Sequence, residues 1–82
     1  MLEKLRDAEK VVGVKQSRRA VRDALAQRVF LACDADPALT EPLEAQCSDA
    51  KIPVSRQFTM RELGQAAGIH VGAAVVTLLK KN

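Results

Sequence analysis

The chain contains no tryptophan or tyrosine and only two phenylalanines among its 82 residues. So small an aromatic complement leaves little platform for stacking a long single strand of nucleic acid, and any such binding has to be led by shape. No apolar run is long enough to cross a bilayer, which argues against a membrane partner. The opening stretch MLEKLRDAEK mixes both charge signs and lacks an apolar core, so it does not read as a secretory signal. A cytoplasmic, reducing location is the resulting expectation. Cysteine is equally sparse: Cys33 and Cys47 have no CxxC spacing, which predicts two buried free thiols in place of a disulfide or a metal site. Gly64, Gly68 and Gly72 form neither GxGxxG nor a P-loop, which argues against a nucleotide cradle. Helix packing, helix termination and close backbone approach are the roles left to them. Neither a metal nor a cofactor is expected.

What the chain does have is apolar content of 48% and charged content of 28%, enough to build one modest core. A single domain spanning residues 1–82 is predicted. Thirteen Lys and Arg against ten Asp and Glu give a net charge of +3. That excess is too mild for a basic tail, so an anionic partner has to be met by a local patch.

Helical and strand-like patterns alternate along the chain. LEKLRDAEK reads as a short mixed-charge helix, VVG as a brief apolar stop, and Lys15 to Ala26 as a second helix. RVFLAC reads as a strand bounded by DADP, where Asp36 can cap a helix whose first residue is Pro37. Leu39, Leu43, Cys47 and Ala50 then fall on one helical face, and Pro53 ends that helix. VSRQF reads as a short strand. TMRE is a capping box, with Thr59 as N-cap and Glu62 three residues on, opening a helix that Gly68 stops in the left-handed conformation. VGAAVVTLL follows as a nearly continuous apolar strand covered on both faces. The alternation predicts an α/β fold, a three-layer α-β-α sandwich around a small mixed four-stranded sheet.

At about 100° per residue, Lys15, Arg18, Arg19 and Arg22 lie close together on the second helix, opposite Ser17, Ala20, Val21 and Ala24. The basic stripe is therefore the solvent face. Gln16 projects sideways near Arg19 at the first turn, where unpaired backbone N–H groups and the positive end of the helix dipole also favour an anion. A basic helix face is often no more than solvated surface.

Three stretches in order along the chain narrow this choice: GVKQSRRAV, LACDADPALTEPL and MRELGQAAGIHVGAAVV. Together they resemble the kink-turn RNA-binding ribosomal-protein family, the L7Ae and L30e proteins, and most closely its small bacterial YbxF/YlxQ-like branch. The resemblance covers nearly the whole chain. The family's first motif runs Gly, a small residue, Asn-Glu or Lys-Gln, two variable residues and Lys. Gly13, Val14, Lys15, Gln16, Ser17, Arg18 and Arg19 occupy those positions, with the bacterial Lys-Gln pair and with Arg19 in place of the usual Lys.

The resemblance implies a non-catalytic protein that binds and stabilises a bent RNA internal loop with tandem sheared G·A pairs. The start of the helix would enter a locally widened major groove, which in ordinary A-form RNA is too narrow for side chains. Lys15 would donate to guanine O6 or N7, Gln16 to a base edge or backbone, and Arg19 to guanine or phosphate. Arg18 and Arg22 look like phosphate contacts. In the loop GIHV, Ile69 and Val71 would cover unstacked bases and His70 would stack or donate, whereas core packing is the ordinary reading of Ile69 and Val71 taken alone. The implied partner is structured RNA with a kink-turn, ribosomal or riboswitch-like, met by a monomer and in association with ribosomes.

Other classes have weaker support. A protein-interaction module of the same fold is the alternative, since fold does not dictate function. Ser17, Cys33, Cys47 and His70 lie in different elements with no nucleophile signature, so no catalytic residue is assigned. Asp34 and Asp36 beside Pro37 are explained by turn and cap chemistry.

Overall fold

The computed structural model describes residues 9–80. Its elements are β1 (Lys10–Val12), α1 (Val14–Arg22), β2 (Ala26–Leu31), α2 (Pro37–Asp49), β3 (Val54–Ser55), α3 (Met60–Ala67) and β4 (Val75–Leu79). The strands form one sheet in the order β1-β4-β2-β3. β4 runs antiparallel to both neighbours and β2 pairs β3 in parallel, so the sheet is mixed.

Alternation along the central strands sends side chains to opposite faces. Val29, Leu31 and Val75 join Ala20 and Val21 of α1 and Leu43 and Cys47 of α2 in one apolar cluster. Phe30 and Val76 join Leu63 of α3 in the other. The expected α-β-α layering is thus present, with α1 and α2 on one face and α3 on the other. Ala26 shares a face with Val29 despite the odd spacing because a register shift between Ala26 and Arg28 inserts an extra residue there.

Element boundaries depart from the sequence pattern where helices end. α1 stops at Arg22, whereas the pattern runs on to Ala26. Ala24 adopts a left-handed conformation with φ 59°, and the Leu25 N–H donates to the Ala20 carbonyl at 2.9 Å. α2 ends alike: Lys51 has φ 59° and the Ile52 N–H donates to the Cys47 carbonyl at 2.9 Å, two residues before Pro53. Both are six-to-one helix closures of the kind glycine usually signals, built here on alanine and lysine. Among the helices of the described residues, only α3 closes on a glycine, Gly68 with φ 81°.

Four further expectations are corrected. VVG is not a stop: β1 is a strand, paired through Val12 with Val76. β2 covers Ala26–Leu31, so Cys33 lies beyond it and is exposed, while Cys47 is buried. Burial first, and the nearby Glu44 carboxylate second, raise the Cys47 thiol above its ordinary pKa, which keeps it protonated and unreactive. On α2 the inward positions are Thr40, Leu43 and Cys47, and both Leu39 and Ala50 are exposed. Asp36 and Pro37 start the helix in a phase that turns Thr40 inward, which rotates Leu39 about 100° out. Finally, β3 is limited to Val54–Ser55 and β4 to Val75–Leu79, so residues 71–74 form a loop. The helix expected over LEKLRDAEK falls largely outside the described residues, and its last residue, Lys10, belongs to β1.

Candidate functional site

The three motif stretches meet at one end of the sheet, and the strand directions explain why. β1 and β2 both leave the sheet where the antiparallel β4 enters it. At that end the Gly13 N–H donates to the Val75 carbonyl at 2.9 Å and the Ala32 N–H donates to the Ala74 carbonyl at 2.9 Å. The start of α1, the turn after β2 and the loop after α3 are thereby fastened side by side.

Gly13 makes the entry to α1 possible. Its φ of 109° lies where L side chains rarely go, and a Cβ there would sit 2.7 Å from Gln16 Oε1. No side chain caps this helix and no acidic residue occupies its first turn, so its leading N–H groups and positive dipole end keep their affinity for an anion. Gln16 folds back over Gly13, close to those groups. Lys15, Arg18 and Arg19 are exposed and, among the described residues, have no acidic partner. Arg22 differs, since its Nε donates to Asp23 Oδ1 at 3.1 Å and part of its charge is balanced. Ser17, Ala20 and Val21 are buried as the helical phase requires, but Ala24 is exposed in the turn that ends the helix. Across the helix, Gln46 Nε2 donates to the Arg18 carbonyl at 3.0 Å and ties α1 to α2.

A surface hollow of about 610 Å³ borders the stripe. Among the described residues, Val11, Leu25 and Leu79 give it apolar wall and Lys15, Gln16 and Arg19 give it polar rim. Leu25 escapes the sequence reading because it follows the closure of α1, where no periodic pattern reaches it.

The loop after α3 is equally well defined. The Thr59 hydroxyl accepts from the Glu62 N–H at 3.2 Å while Glu62 Oε1 accepts from the Thr59 N–H at 2.9 Å, the reciprocal pair that TMRE predicts. After Gly68, the Ile69 N–H donates to the Gly64 carbonyl at 3.0 Å, and the Ala73 N–H donates to the Met60 carbonyl at 3.0 Å. Between these ties the Val71 carbonyl lies directly on the α3 backbone at Gly64, which has no Cβ to hold it off. The loop is therefore turned outward. Ile69 is half-buried against the Phe30 and Leu63 cluster, His70 is exposed, and Val71 is 70% exposed.

Val71 is thus not a core residue. Val71→Asp is expected to leave the thermal unfolding midpoint within a few degrees of wild type, because a carboxylate at so exposed a site keeps its water. A fall of more than about 10 °C in a circular dichroism melt would place Val71 in the core after all.

Asp34 and Asp36 serve the starts of two different helices. Asp36 Oδ1 accepts from the Ala38 N–H at 2.9 Å at the start of α2, and Asp34 Oδ1 accepts from the Met60 N–H at 2.8 Å at the start of α3. Ser17 and Cys47 are fully buried.

The sequence has recognisable relatives. The model of the ribosomal protein L7Ae/L30e/S12e/Gadd45 family matches residues 1–82. An RNA-binding protein YbxF from Geobacillus stearothermophilus is 40% identical over 79 residues, 95% of this chain and 96% of the relative. An RNA-binding protein from Bacillus pumilus is 33% identical over 69 residues, 84% of each chain. Among solved structures, a 15.5kD RNA binding protein from Giardia lamblia superposes with a TM-score of 0.89 at 24% identity, covering 99% of this chain and 72% of that one. A protein of unknown function from Bacillus halodurans superposes with a TM-score of 0.88 at 25% identity, covering 96% and 83%.

Proposed function

The chain belongs to the ribosomal protein L7Ae/L30e/S12e/Gadd45 family, and from that membership we propose that it is a non-catalytic RNA-binding protein that recognises and stabilises kink-turn motifs in structured RNA. The observation that carries this reading is the juxtaposition of the α1 start with the loop after α3 through the Gly13 to Val75 hydrogen bond. One surface then offers two kinds of contact. Lys15, Gln16 and Arg19 provide donors for base edges, with Gly13 and Val14 bringing the helix backbone close, and Arg18 provides a phosphate contact. Val71 and His70 lie against bases that the kink unstacks, and the half-buried Ile69 supports them from below. Arg22, already sharing its charge with Asp23, adds a weaker phosphate attraction.

A kink does what a straight duplex does not: it opens the major groove to the donors while freeing bases for the loop. The protein stabilises the bent form because it binds that form better, and the shift in the RNA equilibrium equals the difference in affinity. The same reading makes it a cytoplasmic monomer associated with ribosomal or riboswitch-like RNA.

Exchanging the tandem G·A pairs for Watson–Crick pairs keeps the phosphate count and removes the bend. Affinity is expected to fall at least about a hundredfold, towards the non-specific level, when both RNAs are titrated at one near-physiological salt concentration. Equal binding to both RNAs would assign the stripe to generic anion attraction, and no binding to either would favour a protein-interaction module.

A further inference from the structure

We propose that Asp34 is a positioning residue for this surface: its carboxylate holds the first residue of α3 in place and so sets the geometry in which the loop of residues 69–74 presents His70 and Val71. The inference rests on reading that loop as part of the RNA surface. Met60 is gripped from two sides, its N–H donating to Asp34 Oδ1 at 2.8 Å and its carbonyl accepting from the Ala73 N–H at 3.0 Å. The turn that carries Asp34 is itself anchored, since the Cys33 N–H donates to the Phe58 carbonyl at 2.8 Å and the Ala32 N–H to the Ala74 carbonyl at 2.9 Å. A chain of hydrogen bonds therefore runs from the end of β2 through Asp34 and Met60 to the far end of the loop.

The capping box of α3 leaves this task open. Thr59 and Glu62 serve the N–H groups of Glu62 and Thr59, and the Met60 N–H is served from another element by Asp34. A carboxylate at a helix start forms a charge-assisted bond that the helix dipole reinforces. Packing then transmits the position of α3 to the loop. The Val71 carbonyl rests on Gly64, and a Cβ on Gly72 would lie 3.2 Å from Met60 Cβ, so the loop is closely packed on α3 at both places. Asp34 is also exposed at the end of the sheet that faces the proposed RNA, where a negative charge repels phosphate. Its role in holding α3 accounts for a charge that direct binding would disfavour, and the two effects have opposite signs.

The test uses the full chain as Asp34→Ala and Asp34→Asn, each alone, and Asp34→Ala combined with Val71→Ser or with Lys15→Ala. In the RNA-free protein, Asp34→Ala is expected to speed amide exchange at Ala73 by about tenfold while the thermal melt stays cooperative. With an RNA carrying one kink-turn it loses about tenfold in affinity, and Asp34→Asn recovers most of both because its amide oxygen still accepts from Met60. In the Asp34→Ala background Val71→Ser costs little further affinity, whereas Lys15→Ala keeps its full effect; a merely structural loss would couple to both alike. Unchanged exchange at Ala73, tighter RNA binding by Asp34→Ala, or equal coupling to Val71 and Lys15 overturns the proposal. If the wild-type chain shows no preference for kinked over straight RNA, the functional reading fails instead, and exchange at Ala73, measured without RNA, still decides whether Asp34 holds the loop.

Discussion

Replacing Lys15, Gln16 and Arg19 together with alanine is expected to remove at least about a hundredfold of the affinity for a kink-turn RNA, since one well-made contact between a side chain and a base edge contributes about 1–3 kcal/mol. The fold should survive the change. All three side chains are exposed, and among the described residues none of them holds an ion pair or a hydrogen bond that packing depends on. Alanine is also the best helix former, so α1 itself loses nothing. Lys15→Ala alone should cost about 1–3 kcal/mol of binding, and Arg22→Ala less, because Asp23 already balances part of that charge. Titration at one salt concentration alongside a thermal melt reads both quantities. A folded triple variant that binds as tightly as wild type would reject the start of α1 as the RNA face.

Gly64→Ala should destabilise the free protein by about 2 kcal/mol or more, lowering the unfolding midpoint by roughly 10 °C in a domain of this size. The direction is the informative part. Gly to Ala within an open helix normally gains about 0.5–1 kcal/mol, because alanine loses less backbone entropy on folding. At this position a Cβ runs into the Val71 carbonyl oxygen and comes within 3.1 Å of its carbonyl carbon and 3.2 Å of Gly72 Cα. Either α3 or the loop has to move, and movement breaks the ties of Ile69 to Gly64 and of Ala73 to Met60. RNA affinity should fall with it, through the displaced Val71. A stabilised Gly64→Ala protein would show that the loop does not rest on α3 in solution.

The legible parts of the fold are those whose chemistry is local. The capping box of Thr59 and Glu62, the Asp36 and Pro37 start of α2 and the Gly68 stop each lie within a few residues of the backbone groups they satisfy, and each is present as the residue types predict. The closures of α1 and α2 were illegible because Ala24 and Lys51 adopt the left-handed conformation without the glycine that usually announces it. Burial of the flanking Ala20 and Cys47 over the sheet holds those turns in place. VVG looked like a stop because three residues carry too little pattern to reveal a strand, and β1 exists by pairing with β4, more than sixty residues away in the chain. Val71 looked like strand because valine next to an apolar run usually is; the contact of its carbonyl with Gly64 turns it outward.

On its own, the sequence determined the family, the layered α/β architecture, the phase of α1 that puts Lys15, Arg18, Arg19 and Arg22 outside, and the caps, because each is written in residue type, order and short-range spacing. Tertiary structure alone decided which of these residues share a surface. Lys15 and Val71 are far apart in the chain, and they share one end of the molecule because β4 enters the sheet where β1 leaves it, with Gly13 bonded to Val75 across the gap. Tertiary structure also divided Ile69 from Val71, the one half-buried and the other exposed, and gave Asp34 a partner at the start of another helix. Strand pairing and backbone contact operate across the whole chain, and no local spacing encodes their outcome.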